Sequence, residues 1–169
     1  MAANRHVISI LVENHSGVLS RVSGLFSRRG YNIDSLSVGI TDDSRYSRIT
    51  VVAFGDDNII YQIHKQLEKL IDVLEVTELS PEDSVFRELV LIKVNADAKA
   101  RSEIFSIAEI FRANVIDVSH TTLTMELTGD QSKIEAFSQL LIHYGIKEIV
   151  RTGLTGIQRG ADTLKIKDE

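Results

Sequence analysis

The chain has 169 residues, of which 43% are hydrophobic and 25% are charged, and these proportions are typical of a folded globular protein. Its 19 basic and 24 acidic residues give a net charge of −5, which disfavours a nucleic-acid partner, because such partners are bound through phosphate neutralisation. No cysteine is present, so the sequence excludes disulfides, thiolate metal sites and a cysteine nucleophile.

The chain enters its first predicted strand, residues 5 to 12, almost at once. No apolar targeting segment precedes this strand, and no apolar run approaches the roughly 20 residues that span a bilayer, so we expect a cytoplasmic protein without membrane contact. A helix follows, with Ser16 predicted as its N-cap and Gly30 as the left-handed residue after its end. The apolar face of this helix carries Val18, Leu19, Val22, Leu25 and Phe26.

Two strands, a helix and a last strand complete the first pattern. Residues 32 to 40 alternate in polarity except at Ile33, so we expect a strand with an early irregularity, and residues 45 to 54 form the next strand. Asp56 or Asp57 is predicted to cap the second helix, and residues 73 to 79 are predicted to be the closing strand. The resulting order is βαββαβ.

The same order returns after residues 80 to 84, which hold the only proline and are predicted to be a linker. Strands are expected at 86 to 95, 115 to 119, 121 to 128 and 146 to 151, and helices at 97 to 113 and after Asp130. Residues 152 to 160 are predicted to be a glycine-punctuated tail and residues 165 to 169 a frayed end. We therefore predict an α+β chain of two ferredoxin-like βαββαβ units, with domains at residues 5–79 and 85–160.

The side chains that could support catalysis are scattered along the chain. No nucleophile elbow, Walker loop or dinucleotide fingerprint is present. The acidic pairs at 42–43 and 56–57 fall at a predicted turn and a helix start, where aspartate is structurally favoured. We predict a non-catalytic chain without a metal site. The histidines, which show no metal-binding spacing, are His6, His15, His64, His120 and His143.

A βαββαβ sheet can also bind single-stranded RNA through aromatic residues on its central strands. Here the strand at 45–54 offers Tyr46, Arg48 and Phe54 without a basic-Gly-Phe run, and the strand at 121–128 has no aromatic residue. Together with the negative net charge, this pattern disfavours RNA binding and favours a small-molecule site.

The loop between the first strand and the first helix is the candidate binding site. Asn14 offers one acceptor and two donors, so it can bind an ammonium and a carboxylate group together. Gly17 lets a ligand approach the unpaired N–H groups at the helix start, and His15 could also contact a ligand. Asn32 lies too far along to meet Asn14 within one protomer, but two sheets packed edge to edge could bring them together. On spacing alone, these residues could equally serve only the turn, the helix start and the strand.

Several runs of residues carry a family resemblance. They are LVENHSGVLSRV (11–22), LFSRRGYNI (25–33) and QLEKLIDV (66–73) in the first half, and REL (87–89), EIFRA (109–113) and RTG (151–153) in the second. Residues 5 to 79 resemble an ACT domain, the small-molecule sensing module of amino-acid metabolism. Residues 5 to 160 closely resemble the small, regulatory subunit of acetohydroxyacid synthase, also called acetolactate synthase.

The resemblance implies a regulatory subunit that activates a separate catalytic subunit and confers feedback inhibition by a branched-chain amino acid, usually valine. It implies a homodimer through ACT domains, with the effector bound by Asn14 and Gly17 of one protomer and Asn32 of the neighbouring protomer. The second domain is implicated in activation. Thiamine diphosphate, flavin (FAD) and Mg²⁺ belong to the family's catalytic subunit, so no cofactor is expected here. Further candidate effector contacts are His15, Ser16 and Val18.

Three alternatives stay open at this point, the first of which is the disfavoured RNA-binding module, which a salt-sensitive RNA shift would support. Leucine or isoleucine could replace valine as the effector. A free-standing ACT sensor acting on another enzyme would share the first domain, and co-purification with a large thiamine-dependent subunit would distinguish the two functions.

Overall fold

The computed structural model describes residues 4–164, so the predicted frayed end at 165–169 lies outside the described residues. The first six elements are β1 (Asn4–Glu13), α1 (Val18–Arg28), β2 (Ile33–Ile40), β3 (Tyr46–Gly55), α2 (Asp57–Leu67) and β4 (Val73–Glu78). Their strands form an antiparallel sheet in the order β2-β3-β1-β4, with β2 at one edge. This βαββαβ order and strand arrangement is the ferredoxin-like fold.

The core of this first sheet lies between its central strands and the two helices. Apolar side chains alternate along β1 and β3, where Ile8 pairs with Val51, and the same face meets the apolar stripes of α1 and α2. The largest fully buried side chains that the two helices contribute are Phe26 from α1 and Ile63 and Leu67 from α2. This packing fixes α1 on the sheet, and with it the loop from which α1 begins.

Three predictions made from the local sequence of the first half agree with the structure. Gly30 has a φ of 68° directly after the end of α1, as predicted for a helix that ends in glycine. Asp56 caps α2 by accepting from the Ile59 N–H at 2.9 Å. The register of β2 against β3 shifts between Ile33 and Ser35, which is the irregularity expected at the start of that strand.

The second set of elements repeats the order. It comprises β5 (Ser84–Asn95), α3 (Ala100–Phe111), β6 (Asn114–Val118), β7 (Thr122–Gly129), α4 (Gln131–Leu141), a single-turn 3-10 helix (Ile142–Tyr144) and β8 (Ile146–Arg151). The strands are arranged β6-β7-β5-β8, and Phe137 fills the core beneath them with its ring centroid 5.3 Å from that of Phe111. Asp130 caps α4, as predicted. None of the helices within residues 4–164 combines the length and the apolar character that a membrane span requires.

Residues 154–159, which we call the C-terminal strap, form structure that the sequence did not predict. They contain the strand β9 (Thr155–Gln158), which pairs with β5, and the Arg159 N–H donates to the Asp83 carbonyl at 2.7 Å. Leu154 is buried with Val7, Val52 and Leu79. The Ser37 hydroxyl donates to the Leu154 carbonyl at 3.0 Å, and the Leu154 N–H donates to the Ser35 hydroxyl oxygen at 3.4 Å.

The strap changes the division of the chain. Residues 4–86 form a first unit together with residues 154–164, and residues 87–153 form a second unit. This division differs from the predicted boundaries, which gave 80–84 to a linker and carried the second domain on to residue 160. Ser84 is buried and already lies in β5, and the strap belongs with the first unit.

Candidate functional site

The loop that follows β1 is anchored by backbone hydrogen bonds before any side chain is considered. The Glu13 N–H donates to the Asp72 carbonyl at 2.9 Å, and the Asn14 N–H donates to the Arg45 carbonyl at 2.7 Å. These contacts tie the end of β1 to the residue before β4 on one side and to the residue before β3 on the other. The loop therefore enters α1 from a fixed position.

Asn14 presents its amide group at the surface of this loop. Its Nδ2 donates one hydrogen bond, 2.8 Å long, to the Ser44 carbonyl. That bond uses one of the two N–H groups of the amide and orients the side chain, while the oxygen acceptor is not used by it. Asn14 is exposed, so a ligand can reach the amide.

Gly17, and not Ser16, is the N-cap residue of α1, which corrects the predicted N-cap. Gly17 has a φ of 91°, and no side chain caps the helix. The left-handed backbone explains the change, because it turns the chain one residue later than a serine cap would. A Cβ at Gly17 would come no closer than 3.9 Å to Arg21, so backbone conformation rather than space favours glycine here. Ser16 is exposed and serves no cap.

The start of α1 offers backbone donors to the loop. The Arg21 N–H makes the first intrahelical bond, to the Gly17 carbonyl at 3.0 Å, so the three preceding N–H groups, those of Val18, Leu19 and Ser20, have no acceptor within the helix. The helix dipole adds positive potential at this end. The Val18 side chain is buried in the core, so this residue can offer only its amide to a ligand. These features suit a small carboxylate.

Asn32 lies at the other end of α1, exposed, just before β2. The 11 residues of α1 separate it from Asn14, which at 1.5 Å per residue is a distance of about 16 Å. The structure thus does not bring the two asparagines together within one chain. The edge strand β2 that Asn32 precedes carries the exposed apolar side chains Val38 (46%) and Ile40 (65%).

Asp72 is the residue beside the loop that sequence reasoning missed. Its carboxylate is buried, with one oxygen accepting from Arg21 Nη1 and the other 3.0 Å from His15 Nε2. Hydrogen bonding from Arg21 holds the pKa of Asp72 below its usual range. No local spacing could have shown this group, because Asp72 is 51 residues from Arg21 and 57 from His15. Its only sequence signal was its position in the run at 66–73.

Glu13 completes this group, with its Oε2 atom 3.3 Å from His15 Nε2. One atom of each of Glu13, His15 and Asp72 lies within 4.8 Å of the others, a spacing that could suit a metal ion. A metal ion would, however, lie beside the Arg21 guanidinium, which already holds the second oxygen of Asp72. We therefore assign no metal to this group.

Known proteins match both halves of the chain. A family model described as "AHAS small subunit-like ACT domain" matches residues 8–75, and one described as "Small subunit of acetolactate synthase" matches residues 87–160. The chain is 49% identical over 165 residues to the probable acetolactate synthase small subunit of Methanothermobacter thermautotrophicus, covering 97% of this chain and 98% of the relative. The chain belongs to the acetolactate synthase small-subunit family.

Further members of the family agree with this assignment. The acetolactate synthase small subunit of Mycobacterium bovis is 49% identical over 160 residues, covering 95% of each chain. The crystal structure of the acetolactate synthase small subunit from Thermotoga maritima is 43% identical and superposes with a TM-score of 0.87 over 94% of this chain and 99% of that one. The predicted resemblance and the predicted α+β fold, with an ACT domain as its first unit, are thus confirmed for this acetolactate synthase small-subunit homologue.

Proposed function

We propose that this chain is the regulatory subunit of an acetolactate synthase, which binds and activates the catalytic subunit and confers feedback inhibition by a branched-chain amino acid. One observation carries the proposal. The amides at the start of α1 that have no acceptor within the helix directly follow the loop that carries the exposed Asn14, in a chain that aligns with 98% of a small subunit's length. In this proposal the chain is non-catalytic and cytoplasmic, and thiamine diphosphate, FAD and Mg²⁺ belong to the catalytic subunit.

The two charged groups of valine match the hydrogen-bond donors and the acceptor that the loop offers. Valine is a zwitterion with a small apolar side chain, and burying either charge without a partner would be costly. The carboxylate can accept from the N–H groups of Leu19 and Ser20, and the ammonium can donate to the Asn14 side-chain oxygen. Few apolar atoms are available for burial, so we expect a Kd on the order of 0.1 mM, equivalent to about −5.5 kcal/mol. Leucine and isoleucine share these charges and are tested beside valine.

A homodimer completes this site. The edge strand β2 presents unpaired backbone groups and the exposed Val38 and Ile40, which pairing with a second β2 would cover. Pairing of this kind supplies Asn32 of the neighbouring protomer to the half-site formed by Asn14 and Gly17. Because the effector would then contact two protomers, it stabilises one dimer arrangement over another, with a coupling of ~1–3 kcal/mol between effector and catalytic subunit.

Replacing Asn14 by alanine is expected to weaken valine binding while activation of the catalytic subunit is retained. Loss of hydrogen bonds to charged groups of the effector costs about 1.5–3 kcal/mol, equivalent to a rise in Kd of about 10- to 100-fold. Calorimetric titration with valine, leucine and isoleucine measures the binding, and acetolactate formation by the reconstituted complex measures activation and inhibition.

Asn58→Ala is the matched control, since Asn58 is an exposed asparagine in the first turn of the other helix of the same unit. It should leave both binding and inhibition unchanged. If Asn14→Ala retains the valine sensitivity of the parent chain, the assignment of the site to this loop is wrong. If the parent chain leaves the activity of the catalytic subunit unchanged, the proposed regulatory role is wrong.

A further inference from the structure

The imidazole ring of His15 is surrounded by hydrogen-bond acceptors. Its Nδ1 atom lies 3.1 Å from the Ser16 carbonyl oxygen. Its Nε2 atom lies 3.0 Å from Asp72 Oδ1 and 3.3 Å from Glu13 Oε2. Neither a carbonyl nor a carboxylate can donate, so each ring nitrogen must supply a proton to make its contact.

A neutral imidazole carries only one N–H and cannot satisfy this arrangement. In either tautomer, one nitrogen lone pair would face an acceptor, at Ser16 or at Asp72. The imidazolium form donates on both sides. The geometry therefore selects the charged ring.

The charges around His15 support the same conclusion. Three elements present charged groups to the ring: β1 contributes Glu13, the segment before β4 contributes Asp72, and α1 contributes Arg21 through its contact with Asp72. Two carboxylates and one guanidinium leave one negative charge uncompensated. Protonated His15 brings the sum of these four groups to zero.

Asp72 connects these elements to the loop. Its backbone carbonyl accepts from the Glu13 N–H at the end of β1, and its carboxylate contacts both His15 within the loop and Arg21 in α1. Arg21 in turn makes the first backbone bond of α1, to Gly17. Asp72 thus fixes the strand end through its backbone carbonyl, and the loop and the helix start through its carboxylate.

We propose that Asp72 is the positioning residue of the loop at residues 14–17, here called the effector loop, and that it holds this loop fully only while His15 is protonated, so that effector binding is linked to one proton. This inference rests on the proposed effector site. Its consequence is that the affinity for the effector falls as pH rises, with no change in any residue that contacts the effector through Asn14 or the α1 amides.

The direction in which the affinity for the effector changes with pH follows from the direction in which the pKa of His15 is shifted. Hydrogen bonding to the Ser16 carbonyl and the negative charges of Asp72 and Glu13 raise the pKa of His15 above 6.5, although desolvation opposes them. A raised pKa means that the stabilisation of the loop by protonated His15 is fully present below 6.5 and is lost as pH rises through the raised value. The pKa of Asp72 is lowered, so this carboxylate stays charged throughout that range.

Calorimetric titration of the full chain with valine at pH 6, 7 and 8 tests the linkage. We expect the Kd to rise by about threefold or more across this range, and loss of one proton limits the rise to about tenfold per pH unit. In the His15→Gln variant, the glutamine side chain can donate to Asp72 but stays uncharged at every pH, so the Kd for valine should not change with pH. Protonation of valine itself affects the parent chain and the variant equally, so it does not change the difference between their pH slopes. His120→Gln, at an exposed turn of the second unit, should keep the parent slope.

The Asp72→Asn variant distinguishes a role of Asp72 in positioning the loop from a contribution to the stability of the chain alone. It should weaken valine binding at every pH and remove the slope, while Asp72→Glu, which restores the charge, should recover part of both. Binding by His15→Gln with the parent slope would overturn the linkage and leave the effector site intact. Failure of the parent chain to bind valine, leucine or isoleucine at any pH would overturn the proposed function itself, and the linkage with it.

Discussion

Replacing Phe26 by alanine is expected to lower the free energy of unfolding by about 3–5 kcal/mol. Phe26 is only 1% exposed and packs α1 onto the core of the first sheet. Its loss removes the transfer free energy of the ring and leaves a cavity that the sheet cannot fully close. Because α1 begins at the effector loop, the variant should also bind the effector more weakly. Urea unfolding followed by circular dichroism measures the first effect, and calorimetry measures the second.

Phe137→Ala is the matched variant, because Phe137 is equally buried in the core of the second unit. It should cost a similar free energy of unfolding but leave effector binding by the folded chain unchanged. Phe105, on the second-unit helix α3, is 41% exposed, and its replacement by alanine should cost well under the core value. A loss below about 1 kcal/mol for Phe26→Ala would contradict the core assignment.

Replacing Gly156 by valine should detach the C-terminal strap and lower the free energy of unfolding by about 1–3 kcal/mol. A Cβ at Gly156 would lie 2.5 Å and 2.7 Å from two ring carbons of Phe86 and 3.1 Å from Leu79. Distances this short force the strap and the Phe86 ring apart, and we expect Leu154 to leave its buried cluster as a result. Hydrogen exchange measures the release directly, since the Leu154 and Arg159 amides donate hydrogen bonds only while the strap is in place.

Thr155→Val is the control for this substitution. It adds the same side chain one residue earlier in β9, at an exposed position, and should leave exchange and unfolding unchanged. Equal protection of the two amides in Gly156→Val and the parent chain would contradict the close approach of Phe86 to the strap.

The fold was predictable where its signals are local. The caps at Asp56 and Asp130 lie three residues from the N–H groups they accept from, and Gly30 ends its own helix. Strand alternation and helical periodicity then give the βαββαβ order twice. The strand β9 was missed because it is four residues long and contains a glycine, too short for any periodic pattern. Its pairing partner β5 begins more than 60 residues earlier.

The candidate site was predictable only in part, for the same reason. Asn14 and Gly17 were identified from the kind of loop that joins an apolar strand to a helix. Ser16 was misjudged because a left-handed glycine at the helix start competes with a serine cap, and the sequence contains both. Asp72 acquires its role only through Arg21 and His15, both more than 50 residues away. Such interactions depend on tertiary packing and leave no trace in spacing.

The strap also sets the order in which the protein can be completed during synthesis. The first unit needs Leu154 to cover Val7 and Val52, yet Leu154 leaves the ribosome only after the whole of residues 87–153. The domain that starts the chain is therefore the last to finish, although domains usually fold in the order in which they emerge. Until then, the hydroxyl groups of Ser35 and Ser37, which lie on β2, lack their hydrogen-bond partner, the backbone of Leu154. The first unit of the nascent chain therefore stays incomplete until its last strand, β9, has been synthesised.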